Sequence, residues 1–126
     1  MTHVTPAGAS AEYVLRRFNA AWNHHDLAAA IALTSTNCVF ESSGPAPGGA
    51  RSVGHAELEA AWKPLFDEPS SQYTVEESFT AGESFTSGTR VVQRWTRDWD
   101  GGRSRGVDIT TVRDGLITEI LAYRKG

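Results

Sequence analysis

The feature that most constrains this chain is a change of hydrophobic period near Ser71. Before it, Leu15, Phe18 and Trp22 stand at i, i+3 and i+7, a single apolar stripe on a helix. After it, Tyr73, Val75 and Phe79 alternate with polar residues, the period of a strand with one buried face. Helices therefore come first and strands follow. That order favours an antiparallel sheet packed against N-terminal helices, not the alternating units of a parallel sheet.

Local signals divide the chain further. Ser10 is placed to cap the first helix, with Glu12 in its first turn, and Asp26 to cap a second over residues 27–33. Residues 38–42 read as a short strand. Residues 43–51 hold Gly44, Pro45, Pro47, Gly48 and Gly49 and read as a mobile loop. A third helix is expected to start near Gly54 or His55 and run past Leu58 and Trp62. Pro64, which lacks a backbone donor, is expected to kink or end it near Lys63. Strands are expected over residues 90–99, 107–112 and 116–123. Turns at Asp100-Gly101-Gly102-Arg103 and Asp114-Gly115 separate them. With no repeat and no linker, residues 10–126 read as one α+β domain behind a flexible N-terminus of residues 1–9.

Composition narrows the class. The chain has 126 residues, 40% of them hydrophobic and 21% charged, globular proportions with enough length for one core. No apolar run approaches the roughly 20 residues of a membrane span, and residues 1–10 carry no secretory signal. A cytoplasmic location is the expectation. The lone cysteine, Cys38, allows no internal disulfide and reads as a buried small apolar residue. No His, Cys or carboxylate spacing suits a metal, and no phosphate-binding glycine loop is present, so neither metal nor cofactor is expected. Net charge is −3, from ten acids and four bases up to residue 87 and five acids and eight bases after it. The late arginines are scattered through strands, so nucleic acid is not an expected partner. The last strands are apolar on both faces, as in Val107-Asp108-Ile109-Thr110-Thr111-Val112. Helices can cover only one face, so a homodimer packed through the sheet is expected.

Together these residues resemble a known family. They are the helix ending in Asn23-His24-His25-Asp26-Leu27, the strand with Phe40-Glu41, the helix after Gly54, and the tail from Arg105-Gly106-Val107-Asp108 to Tyr123-Arg124-Lys125-Gly126. The pattern resembles the nuclear transport factor 2-like superfamily, in its SnoaL-like branch, over residues 10–126. The resemblance implies a cystatin-like, cone-shaped α+β barrel. In it a curved antiparallel sheet wraps around N-terminal helices and a pocket. Members include ketosteroid isomerase, limonene epoxide hydrolase, polyketide cyclases and non-catalytic binding domains, so the fold does not give the function.

Carried over residue by residue, most known sites fail. The steroid isomerase's base position aligns with Ser42 and its tyrosine with Phe18; only its neutral carboxyl has a match, Asp108. The epoxide hydrolase's arginine matches Arg94, but its carboxylates align with Thr96 and about Ala122. The cyclases fit best, since their single acid/base aspartate lies in the strand of Asp108.

Asp108 is thus the leading catalytic candidate. It stands mid-strand between Val107 and Ile109, on one face with Gly106, Thr110 and Val112. A carboxyl in an apolar pocket has a raised pKa and suits acid/base work near neutrality. Its bland alternative is a structural carboxylate paired with an arginine. Arg94, on the neighbouring strand, is read as its modulator or as a contact for a ligand's anionic group; a register slip of one residue would instead put Trp95 inside and Arg94 outside. Phe18, Trp22, Trp62 and Phe66 are the expected aromatic wall or, alternatively, plain core. Ser42, His55 and Thr110 are further candidates for ligand contact. Two functions remain open on the sequence. One is a cofactor-free lyase, isomerase or cyclase moving a proton on a hydrophobic small molecule. The other is a non-catalytic small-molecule-binding or dimeric interaction domain with Asp108 and Arg94 as a buried ion pair.

Overall fold

The computed structural model describes residues 10–84 and 87–125; the N-terminal segment expected to be flexible, residues 1–9, lies outside them. Helix α1 spans Ala11–Asn23, α2 Leu27–Ala32 and α3 His55–Phe66. The strands are β1 Thr34–Ser42, β2 Ala50–Val53, β3 Gln72–Ser84, β4 Gly88–Trp99, β5 Gly102–Arg113 and β6 Leu116–Lys125.

Caps set the helix starts. Ser10 Oγ accepts the Tyr13 N–H at 3.2 Å and Asp26 Oδ1 the Ala29 N–H at 3.0 Å. The apolar stripe of α1 buries Val14, Leu15, Phe18 and Ala21. Pro64 does not end α3 near Lys63 as expected; the helix runs on to Phe66. The carbonyl deprived of a partner belongs to Ala60, which is exposed and can be hydrated. Phe66 also anchors the last turn, buried with its ring 4.3 Å from that of Trp22. Strand β2 was not foreseen. Its four residues carry no alternating pattern, and it is held by backbone pairing to β1 from Val39↔Val53 to Ser42↔Ala50.

The six strands form one curved, unclosed sheet in the order β2-β1-β6-β5-β4-β3. All neighbours are antiparallel except β1 and β6, which run parallel. Bulges between Val75 and Glu77, between Thr80 and Gly82, and between Thr111 and Val112 bend the long strands. Two tight turns fix the register. Asp100-Gly101 joins the Trp99↔Gly102 pair, and Asp114-Gly115 joins Arg113↔Leu116 with both φ angles positive, at 53° and 78°.

The first turn decides what faces the helices. A two-residue loop pairs even-numbered β5 residues with odd-numbered β4 residues: Asp108 with Gln93, Gly106 with Trp95, Ser104 with Arg97. The inner face of β4 is therefore Val91, Gln93, Trp95 and Arg97. On the outer face Phe79, Val92, Ile109 and Leu121 stand in one row across four strands, with Phe79 and Tyr123 more than half exposed. Among the described residues no helix is long and apolar enough to cross a membrane.

Candidate active site

Where the inner face of the sheet meets α1 and α3, a cavity of about 280 Å³ opens. Its apolar wall comes from Phe18 and Trp22 of α1, Trp62 and Leu65 of α3, and Phe40, Val75 and Ile120 of the sheet. The rings meet edge to face, with Trp22 and Trp62 5.4 Å apart and Phe40 and Trp62 5.5 Å apart. Asp108 is the one carboxylate in the lining; Tyr73, Gln93, Trp95, Arg97 and Ser104 surround it along β3, β4 and β5. Ser42, Ser43, Gly44 and Arg124 complete the lining on the side of β1 and β6.

Among the described residues one side chain holds Asp108. Trp95 Nε1 donates to its Oδ1 at 2.8 Å. The indole reaches it by lying over Gly106, its cross-strand partner. A Cβ at 106 would come within 2.5 Å of both Trp95 Cζ2 and the Tyr123 carbonyl oxygen, so only glycine leaves this space. Burial pushes the Asp108 carboxyl up to about 6, and the Trp95 hydrogen bond pulls the other way. The Tyr73 phenol is pushed up to about 12, chiefly by burial; Arg97 draws it down and Asp108 raises it, so it remains a proton donor. Tyr73 and Trp95 also meet edge to face at 5.7 Å.

The residues singled out from sequence divide into two groups. Phe18, Trp22, Ser42, Trp62 and Asp108 line the cavity together. Arg94, Phe66, His55 and Thr110 do not. Arg94 is exposed on the outer face, 3.3 Å from Glu77 and 3.8 Å from Glu76, because the two-residue hairpin loop turns Trp95 inward in its place. The Asp108–Arg94 ion pair is accordingly absent. Phe66 packs behind Trp22 in the core. The His55 Nε2 lies 3.1 Å from the Thr34 carbonyl and ties the start of α3 to β1. Thr110 shares the face of Asp108 but is buried beyond the cavity. Cys38 is buried, its thiol pushed up to about 12 by burial and then by Glu119, which keeps it a poor nucleophile. Among the described residues no group of three His, Cys, Asp or Glu side chains could hold a metal ion.

Tyr73, Arg97 and Gln93 were not foreseen. Tyr73 and Arg97 are cross-strand partners on the inner face, and Gln93 opposes Asp108. The length of the Asp100-Gly101 loop was the signal that would have placed Trp95, Arg97 and Gln93 with Asp108.

Comparison with known proteins agrees with this architecture. The model of the SnoaL-like domain matches residues 15–120. A solved NTF2-like protein of unknown function from Mesorhizobium loti is 35% identical, covers 91% of this chain and 90% of its own, and superposes with a TM-score of 0.77. A candidate ketosteroid isomerase from Kribbella flavida is 17% identical over 90% of this chain and 76% of its own, with a TM-score of 0.71. A candidate polyketide cyclase from Xanthomonas campestris is 19% identical over 90% of this chain and 89% of its own, with a TM-score of 0.66. These last two likenesses establish the fold alone. No curated protein matches the chain.

The buried carboxyl has a consequence for stability. Its pKa is higher folded, about 6, than the ordinary 3.8. Below pH 3.8 the group is protonated in both states and costs nothing. Between pH 3.8 and about 6 the unfolded chain ionises while the folded carboxyl stays protonated, so stability is lost across that window and levels off above it, where the folded state carries the charge. Asp108→Asn keeps the oxygen that accepts from Trp95 and removes that charge. Urea unfolding should find the variant more stable than the parent at pH 7.5, by up to about 3 kcal/mol, with the gap closing toward pH 4. A variant less stable than the parent at pH 7.5 would contradict this account of the site.

Proposed function

The chain belongs to the SnoaL-like domain family, and from that premise we propose that it is a proton-transfer catalyst of the lyase, isomerase or cyclase type acting on a hydrophobic small molecule. The observation that carries this is the Asp108 carboxyl: alone in the lining, raised toward neutrality by burial, and fixed at one oxygen by Trp95. With Oδ1 engaged, Oδ2 is the oxygen left to accept a proton.

The mechanism follows from the lining. A flat apolar ligand lies against Trp22, Phe40 and Tyr73 and displaces water from them. Asp108 takes a proton from a carbon next to a carbonyl, and the electron pair of that C–H bond moves into an enolate. The Tyr73 phenol donates a hydrogen bond to the developing oxyanion. Asp108, now protonated, returns its proton to another carbon in an isomerisation, or to a departing group in an elimination. The ion pair with Arg94, the structural role that the binding-only alternative gave Asp108, does not form, since Arg94 pairs with Glu76 and Glu77.

Exchange of the α-hydrogens of 2-tetralone in D2O, followed by proton NMR, tests the proposal. The protein should accelerate exchange with a rate that rises as pH passes 6, since the ionised carboxylate is the base. Asp108→Asn should cut the acceleration about 10²-fold or more. Equal rates for parent and variant would remove Asp108 from the chemistry.

We further propose that two copies pair through the outer face of the sheet. The row of Phe79, Val92, Ile109 and Leu121 supports this, as does the mixed-sign rim of Arg94 and Arg105 with Glu77 and Glu119. A two-fold axis can set these opposite one another. Sedimentation at low micromolar concentration should give twice the 13.7 kDa chain mass, and Ile109→Glu should halve it. A monomeric parent protein would refute the pairing.

A further inference from the structure

Arg97 lines the cavity and has no counter-ion among the described residues. Its Nε donates to Ser71 Oγ at 2.8 Å, and its guanidinium carbon sits 4.3 Å from the centre of the Trp99 ring. Among the described residues no carboxylate lies within the 4.0 Å of an ion pair. Neighbouring Asp98 is engaged with Arg103 at 2.6 Å instead. Arg97 is half-buried, unlike the exposed Arg94, and a partly desolvated cation without a partner is unfavourable. Ser71 and Trp99 hold the side chain in place, while the terminal Nη1 and Nη2 donors have no protein acceptor among the described residues. This is a pre-oriented planar fork, the geometry that matches a carboxylate.

Arg124, in the same lining, adds a second cation with no carboxylate partner among the described residues. Arg124 is exposed and hydrated, so the half-buried Arg97 is the cation that a ligand's negative charge would balance. The two ends of the site also differ. Arg97 stands one inner-face position beyond Trp95 on β4, whereas Asp108 lies on the other side of that indole, opposite Gln93.

We infer that the cavity takes a small organic anion, a one- or two-ring apolar body carrying a carboxylate, with Arg97 as the anchor for that carboxylate. The ring body packs on Trp22 and Phe40 and brings its reactive carbon to Asp108. A volume of about 280 Å³ sits at the small end of ligand pockets and suits such a molecule. The inference rests on the cavity being a ligand site; turnover of the ligand is a separate matter.

Titration of 2-naphthoate and its neutral counterpart 2-naphthamide, read by tryptophan fluorescence and calorimetry, tests it. The parent protein should bind naphthoate about tenfold or more tightly than naphthamide, as expected for charge-assisted hydrogen bonds in a desolvated site. Arg97→Gln should bring naphthoate down to the level of the amide while leaving naphthamide affinity within about twofold. Arg97→Lys, which keeps the charge without the planar fork, should retain only a few-fold preference, and it serves as the test if the glutamine variant does not fold. Equal binding of the two probes by the parent overturns the anchor and leaves the ligand site standing. So does full preference surviving in either variant. Binding of neither probe overturns both.

Discussion

One hydrogen bond organises this protein's inner surface. The Trp95 indole can reach the Asp108 carboxyl only by crossing the bare backbone of Gly106, and Gly106 faces Trp95 only because the preceding hairpin turns in two residues. Carboxyl orientation, the outward turn of Arg94 and the inward turn of Arg97 all descend from that register. A slip of one residue would reverse every side chain of β4 and dismantle the site without altering the sheet.

The same arrangement explains why burial, and not a cation, sets the charge state of Asp108. An arginine opposite would have held the carboxylate ionised at any ordinary pH. Gln93 stands opposite instead, and the lone donor is a neutral indole. Such a group is costly to the folded state near neutrality. A carboxyl kept under those conditions, in a cavity with a protonated phenol beside it, is what acid/base chemistry requires and what a purely structural role does not.

The fold was legible in the sequence because its signals are local. Ser10 and Asp26 mark helix starts, the period change at Ser71 marks the sheet, and Asp114-Gly115 marks a turn. The elements that escaped depend on tertiary contact. Phe66, buried against Trp22, carries α3 past Pro64, and β2 exists only as a partner of β1. Asp108 stood out as a carboxylate between apolar neighbours. Arg94 lies near it by strand order alone, and the one-residue register that excludes it is set by the length of a loop whose glycine pair fits more than one turn. Tyr73 and Arg97 come to the cavity by pairing across β3 and β4, which no local pattern reveals.

Asp108 sits in a site dry enough to be protonated near neutrality while bound to Trp95. A carbon-13 NMR titration of its side-chain carboxyl measures this directly. A midpoint near 6 is expected in the ligand-free protein. A midpoint at or below 4 would mean a solvated or ion-paired carboxylate, and would contradict that expectation.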